Sequence, residues 1–402
     1  MLPDTPPHRR ATIVGIGQTE FEKKIERSEL ALACDAIVHA CEDCGIPVTE
    51  IDGITRYDVE QNTEWDVIYT LGIPHLNFFA GTPSGGGGVA GTIILAALAV
   101  ESGHANTVVV YRARKRGRLS GYGAGANEGG RPWAKVGTLL KGSQQYHLPF
   151  GLASPAQEMA LIARRHMHVY GTRAEQFGMQ AVAQRAHAAS NPAAIMREAI
   201  TLEEWRNSRM IADPLRLFDC SLENDGAVAL IVTTAERARG LRQEPVHVLA
   251  GAQGEHPIHT QLPVYFTETG DFGGRETGGW SIGRRLFESA GIGPGDVDVA
   301  MIFDHFTMAI PLTLEQYGFC GVGEGGAFIE SGATRWPGGQ LPVNTHGGSN
   351  GEAFIHGLNH LPEAVRQLRG TAVNQVEGCE VAFVNGSITD CAGAVLLGRS
   401  AT

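Results

Sequence analysis

The stretch Cys44-Gly45-Ile46-Pro47-Val48-Thr49-Glu50-Ile51-Asp52 returns 246 residues later as Ala290-Gly291-Ile292-Gly293-Pro294-Gly295-Asp296-Val297-Asp298. In both places an amphipathic helical stretch leads in and an apolar, strand-like run leads out. The same offset sets Tyr57-Asp58 against Phe303-Asp304. Upstream of each copy, residues 11–17 and 246–251 are short and rich in β-branched side chains, the pattern of a buried strand. A period this long excludes a solenoid. It implies two similar α/β halves, residues 1–240 and 241–402, in which strands alternate with helices so that a mixed sheet is covered on its faces.

Around this repeat, residues 107–111 and 227–233 read as core strands, and residues 28–44 and 89–101 as helices. Residues 112–155 break the rhythm. They are Gly-rich and open with five Lys or Arg in seven positions, which marks a functional or interface loop inserted in the first half. The whole chain has 402 residues, 43% of them apolar and 19% charged, enough to bury one large core or two medium ones. Its net charge of −11 argues against general nucleic-acid binding. No apolar run reaches the roughly 18 residues of a membrane span, and residues 1–10 lack the apolar core of a secretory signal. Seven cysteines without disulfide-type spacing fit a reducing, cytoplasmic setting.

Several motifs have a plain structural explanation. Gly15-Ile16-Gly17 follows a strand, but Glu20 stands where a dinucleotide fingerprint needs its third glycine, so a tight turn is the better account. Cys41-Glu42-Asp43-Cys44 has no second pair to complete a zinc site, and Cys34, Cys41 and Cys44 share one apolar helix face. The run Gly85-Gly86-Gly87-Gly88 opens a helix. It either makes a turn with tight packing or offers backbone N–H groups to a carbonyl oxygen becoming an enolate.

Polar groups concentrate in Phe303-Asp304-His305-Phe306-Thr307 and in Asn344-Thr345-His346-Gly347-Gly348-Ser349-Asn350-Gly351-Glu352-Ala353-Phe354-Ile355-His356-Gly357. Histidines beside Asp and Glu offer acid–base partners near neutral pH. No helical His-Glu-x-x-His spacing occurs there, so no metal is expected. The basic run from Arg112 to Arg118 could neutralise phosphates, those of coenzyme A included, or form a solvated loop or subunit contact.

Over nearly its whole length the chain resembles the thiolase superfamily, whose fold is two duplicated βαβαβαββ halves in five α-β-α-β-α layers. The thiolase cysteine falls on Gly86 and the Gly-His-Pro histidine on Phe354, so covalent acyl-enzyme chemistry is absent. The closer resemblance is to the lipid-transfer-protein-like branch, the steroid side-chain aldolases. It is carried by the Gly85–Gly88 run, Val110-Tyr111-Arg112-Ala113, Pro214-Leu215-Arg216-Leu217, Asp225-Gly226-Ala227-Val228-Ala229-Leu230, Asp304-His305-Phe306-Thr307, Asn344-Thr345-His346-Gly347-Gly348, Gly351-Glu352-Ala353, Ile355-His356-Gly357 and Glu363-Ala364-Val365-Arg366-Gln367-Leu368-Arg369-Gly370.

The resemblance implies retro-aldol cleavage of a β-hydroxyacyl-CoA to a steroid ketone and a short acyl-CoA. Coenzyme A enters as part of the substrate, with no other cofactor. It also implies a homodimer bound to a small OB-fold, zinc-ribbon partner. One departure stands out: the aldolases carry tyrosines where this chain has Phe303 and Phe354, so two hydroxyls are missing while ring shape is kept. Proton traffic is then expected of Asp304, His305 or His356. Backbone around Gly86 or Gly347-Gly348, with His346, would hold the enolate oxygen, and Phe303 and Phe354 would shape an apolar pocket for a ring system. The rival expectation is a catalytically silent acyl-CoA-binding subunit of a hetero-oligomer.

Overall fold

In the computed structural model, residues 6–82, 88–116, 148–152, 154–254, 279–386 and 392–401 are described. Gly86 and residues 117–147 of the Gly-rich insertion lie outside them. The chain begins with β1 (Ala11–Gln18), α1 (Glu29–Cys44), β2 (Gly53–Tyr57), α2 (Glu64–Leu71), β3 (Phe78–Thr82), α3 (Gly88–Glu101) and β4 (Thr107–Lys115). Next come α4 (Pro155–Tyr170), α5 (Ala174–Ser190), the antiparallel pair β5 (Met210–Ala212) and β6 (Leu215–Arg216), and β7 (Asp225–Thr234). After β8 (Val246–Gly254) follow α6 (Gly279–Ala290), β9 (Val299–Met301), α7 (Ala309–Gln316), α8 (His360–Arg369), β10 (Val381–Asn385) and β11 (Ala392–Gly398). Among the described residues, short helical turns lie between some of these elements.

The main sheet has the order β3-β2-β4-β7-β1-β8-β11-β10-β9. Its two wings join where β1 meets β8, through Thr12 opposite His247 and Ile13 opposite Val246. Outward from that seam the wings match. One runs β1, β7, β4, β2, β3; the other runs β8, β11, β10, β9 and then a single parallel bridge between Ala300 and Val343. In each wing the first two steps are antiparallel and the next two parallel.

The repeated nonapeptide is the joint that builds each wing. Gly45 ends α1 at φ 80° and Gly291 ends α6 at φ 73°, left-handed positions that glycine adopts without strain. Gly45 and Ile46 both donate to the Cys41 carbonyl, and Gly291 and Ile292 both donate to that of Phe287. At the other end of the motif, Asp52 accepts from the backbone N–H of Thr107, the first residue of β4 (2.8 Å), and Asp298 from that of Val381, the first of β10 (2.9 Å). The two copies resemble each other because each performs the same two operations: it stops a helix and ties two strands together.

Helices separate the wings into layers. Val89 and Ile93 of α3 and Leu361, Val365 and Leu368 of α8 form one buried cluster with Val108, Val110, Leu230, Met301 and Val384. Outside one wing, Leu32 and Ile37 of α1 pack on Val109 and Ile231; outside the other, Ile282 and Leu286 of α6 and Ile310 of α7 pack on Ala300, Phe383 and Leu396. The result is the five-layered α-β-α-β-α architecture. Alternate side chains of one strand meet different helix layers, so the central strands are apolar along their length rather than alternating.

Gly15 and Gly17 sit where any Cβ would run into the carbonyl oxygens of Ala40 and Ala36, so these glycines let α1 lie directly on β1. Cys34, Cys41 and Cys44 are buried in the α1 cluster, and burial pushes the Cys34 thiol up to about 11 and that of Cys41 up to about 12. Among the described residues no helix is long and apolar enough to cross a membrane. One boundary differs from the sequence reading: β4 continues to Lys115, so Arg112 and Arg114 lie in a buried strand rather than at the start of a loop.

Candidate active site

Both halves contribute to one junction. From the first half come Tyr57 at the end of β2, Arg112 and Arg114 on β4, and the segment 219–224. From the second come residues 303–307 after β9 and residues 344–357. Segment 219–224 stitches the pieces together. Thr307 donates through its N–H to Asp219 O (2.9 Å) and through Oγ1 to Asp219 Oδ1 (2.7 Å), and Ser221 N–H donates to His305 O (3.1 Å). Asn224 Oδ1 accepts from the N–H of Phe354 (2.8 Å), and Arg114 Nη1 donates to the Phe354 carbonyl (3.0 Å). Asn344, at φ 51°, exchanges two hydrogen bonds with the Ile302 backbone and so substitutes for a neighbouring strand.

The front of the junction is a row of rings. His305 stacks on Phe303 (centroids 4.9 Å), Phe303 meets Phe354 (5.9 Å), Phe354 meets His356 edge-on (5.1 Å), and His356 meets Tyr57 (5.8 Å). His305, Phe354 and His356 are partly exposed, whereas Phe303 and Tyr57 are buried. The Arg114 guanidinium lies 4.7 Å over the Phe354 ring. Tyr57 and Phe303, equivalent positions in the repeat, thus both enter the same row.

Behind the rings runs a sealed polar chain. Asp304 accepts from Ser349 N–H (3.0 and 2.9 Å to its two oxygens) and from the Gln184 amide, and His360 Nε2 lies 3.2 Å from Oδ1. His360 Nδ1 is 2.9 Å from His346 Nε2, which is 3.7 Å from Glu352 Oε2. Glu352 in turn accepts from Asn191 and Asn359, each at 3.0 Å. Asp304 and His346 therefore support the row from within; His305 and His356 are in it. Gly347 spends its N–H on Asn344 O (2.9 Å), and a side chain at Gly348 (φ 65°) would collide with Asp304 and Gln184. These two glycines admit the close approach of backbone to carboxylate.

The arginines are engaged internally. Arg112 donates through Nε to His356 Nδ1 (3.1 Å) and through Nη1 to Glu60 (2.9 Å), while Arg114 pairs with Glu223 (2.9 Å). Burial pulls Arg114 down to about 10. With these two charges answered inside the protein, they are not the phosphate-neutralising groups the basic run suggested. The sequence reading did not assign Arg112, His360, Glu352 or Tyr57 to this site. Tyr57 could have been found from its alignment with Phe303; Glu352 lies in the polar segment and Arg112 in the basic run singled out above, without a role at this site, and nothing local marks His360.

Burial dominates the titration of the site. It lowers His187, whose Nδ1 lies 3.2 Å from Asn344 O, and His305 to about 4 and holds His346 and His356 well below the usual imidazole range, the nearby His360 reinforcing the effect on His346 and Arg112 that on His356. Burial raises Asp219 to about 6 and Glu352 to about 7. The four imidazoles contribute stability that is present above about pH 6.5, their unfolded value, and is lost as pH falls toward 4. The two raised carboxylates act oppositely: their contribution is present below about pH 4 and lost as pH rises through 6 and 7. Four groups outweigh two between pH 4 and 6.5, so the urea midpoint should be lower at pH 5 than at pH 7. A flat or rising midpoint on acidification would contradict these assignments.

Comparison with known proteins agrees with this architecture. Residues 267–399 match the family described as Thiolase C-terminal domain-like. The chain is 44% identical to 17-hydroxy-3-oxo-4-pregnene-20-carboxyl-CoA lyase of Mycobacterium tuberculosis, over 97% of this chain and 99% of that protein. It is 43% identical to the steroid side-chain-cleaving aldolase of Thermomonospora curvata, over 91% and 92%. The solved structure of an Ltp2-ChsH2(DUF35) aldolase superposes with a TM-score of 0.87 at 39% identity, covering 98% of each chain. Likeness of this extent defines the class, that of the thiolase-like proteins. Within it, the chain belongs to the SCP2-thiolase-like family, in the lipid-transfer-protein-like branch with the steroid side-chain aldolases.

Proposed function

We propose that this chain is a retro-aldolase that cleaves a β-hydroxyacyl-CoA thioester of a steroid side chain, releasing a ketone and a short acyl-CoA. The observation that carries this reading is the 44% identity, over nearly the whole of both chains, to a lyase acting on such a thioester. The reaction needs a base for the β-hydroxyl, a donor for the thioester oxygen and a proton for the α carbon. The hydroxyl loses its proton, the bond between the β and α carbons breaks, and its electron pair passes into the thioester as an enolate. The enolate then takes a proton at the α carbon.

His305 is suited to carry that proton between the two positions. It is neutral at physiological pH, and its ring is partly exposed in the row of aromatic groups. Phe303 and Phe354 form the apolar wall against which fused rings would lie.

The same reading includes a DUF35-type partner, supported by the aldolase complex this chain resembles at a TM-score of 0.87. It also includes a second copy of the chain. Among the described residues strand β3 is an open sheet edge, and Phe79 on it and Trp65 and Tyr69 on α2 are strongly exposed, a surface that pairing would cover. A cytoplasmic location completes the proposal.

The test is mass-spectrometric detection of products from a 17-hydroxy steroid side-chain CoA thioester, with and without a DUF35-type partner. Ketone and short acyl-CoA should appear in equal amounts. If the unaltered chain is inert and the Phe303→Tyr, Phe354→Tyr double variant cleaves the substrate, the chain is a silent binding subunit and the lyase reading falls. If the unaltered chain is active, restoring a hydroxyl should change the rate by less than the roughly 10²–10⁴-fold of an essential acid–base group.

A further inference from the structure

Arg112 Nε lies 3.1 Å from His356 Nδ1. A guanidinium has no lone pair to accept with and keeps its protons inside proteins, so Arg112 is the donor and Nδ1 the acceptor. The neutral ring then carries its one proton on Nε2. Nε2 has no hydrogen-bond partner among the described residues, and the ring is partly exposed within the row of aromatic groups. We propose that Arg112 is a positioning residue that locks His356 in the Nε2–H tautomer, and that His356 serves as a hydrogen-bond donor to the thioester oxygen as it becomes an enolate rather than as a base.

The surroundings favour this state from every side. Arg112 and Arg114 on β4 and Arg116 just beyond its end are, among the described residues, the charged groups that act on His356, and all are cationic. Glu60 (2.9 Å) and Glu29 (3.5 Å) engage Arg112 through Nη1, leaving Nε for the imidazole. Glu60 is itself fixed by the N–H groups of Ala113 (2.6 Å) and Asn62 (3.0 Å). Tyr57 on β2 and Phe354 meet the ring edge-on and supply no charge. The backbone is held as firmly: His356 has φ 53°, and Gly357 after it has φ 86° with no room for a side chain beside Phe303. A neutral imidazole fixed in this way can stabilise developing negative charge without a proton transfer of its own.

The catalytic role rests on the retro-aldolase reading; the tautomer does not, and the experiment separates them. Long-range ¹⁵N–¹H spectra of the full-length protein labelled at histidine nitrogens would be recorded from pH 5.5 to 8, with His356 assigned by the signal lost in His356→Asn. The expected result is an Nε2-protonated ring that does not titrate over this range. An Nδ1-protonated ring, or titration near pH 6.5, overturns the inference whatever the activity. In folded Arg112→Met, the spectrum should show a mixture of tautomers and an ionisation moved up toward the usual value. Given lyase activity in the parent, kcat should fall about 100-fold with KM nearly unchanged. An unaltered tautomer in that variant also overturns the inference. An Nε2–H ring in a chain that cleaves no thioester overturns the proposed function and leaves the tautomer assignment standing.

Discussion

Asp304→Ala is expected to lose about 3–5 kcal/mol of folding stability, the cost of leaving several buried polar groups without the carboxylate that serves them. The carboxylate is fully buried yet held below its ordinary pKa: burial alone would raise it, and His360 and the Ser349 N–H together outweigh that effect. Its folded pKa is depressed, so this contribution is present above the unfolded value near pH 4 and is lost as pH falls. Truncation strands the Ser349 N–H, the Gln184 amide and His360 in the interior. Asp304→Asn keeps the shape and one acceptor and should lose only about 1–2 kcal/mol. Denaturant midpoints at unchanged slope would measure both, and near-equal losses would show that the carboxylate's charge has no special part in the network.

The largest effect on activity is expected at His356. Removing a preorganised donor from a developing oxyanion lowers kcat by about 10²–10³-fold, and His356→Ala should do so with little change in KM. The substitution leaves alanine at φ 53°, where it carries the same backbone strain of about 1–2 kcal/mol that the native histidine bears. His356→Asn, with a side chain that tolerates the left-handed region, relieves the strain without restoring the imidazole. Steady-state kinetics of the two variants should therefore show similar losses in kcat but different stabilities. A His356→Ala enzyme with unchanged kcat would remove this residue from the reaction.

Much of the architecture was written in local pattern. The nonapeptide repeat foretold the duplicated wings because each copy must end a helix with a left-handed glycine and bring an aspartate to the start of a neighbouring strand. Helix α1 was legible over residues 28–44, and in the structure it starts at Glu29 with Ser28 as its cap, accepting from Ala31 N–H. The β4 boundary was misjudged because Arg112 and Arg114 look like loop residues. The carboxylates of Glu60, Glu29 and Glu223, brought in from elsewhere in the chain, allow them to stay in the sheet.

At the site the same division holds. Phe303, Asp304, His305, His346, Phe354 and His356, drawn from two segments of the second half, all fall at one junction. Their division into a partly exposed row and a sealed chain was not legible. Arg112 and His356 are 244 residues apart, and Asp304 reaches His360 only after the chain has made the turn at Gly347-Gly348. The sequence alone determined what depends on period and on neighbouring residues: the repeat, the helices and strands, and the absence of the thiolase cysteine and histidine. Which nitrogen meets which donor, and which charges are enclosed, only the tertiary structure decided. Those contacts arise from strand register and helix packing between distant segments, and the burial that shifts the site's titration exists only once both wings have closed around it.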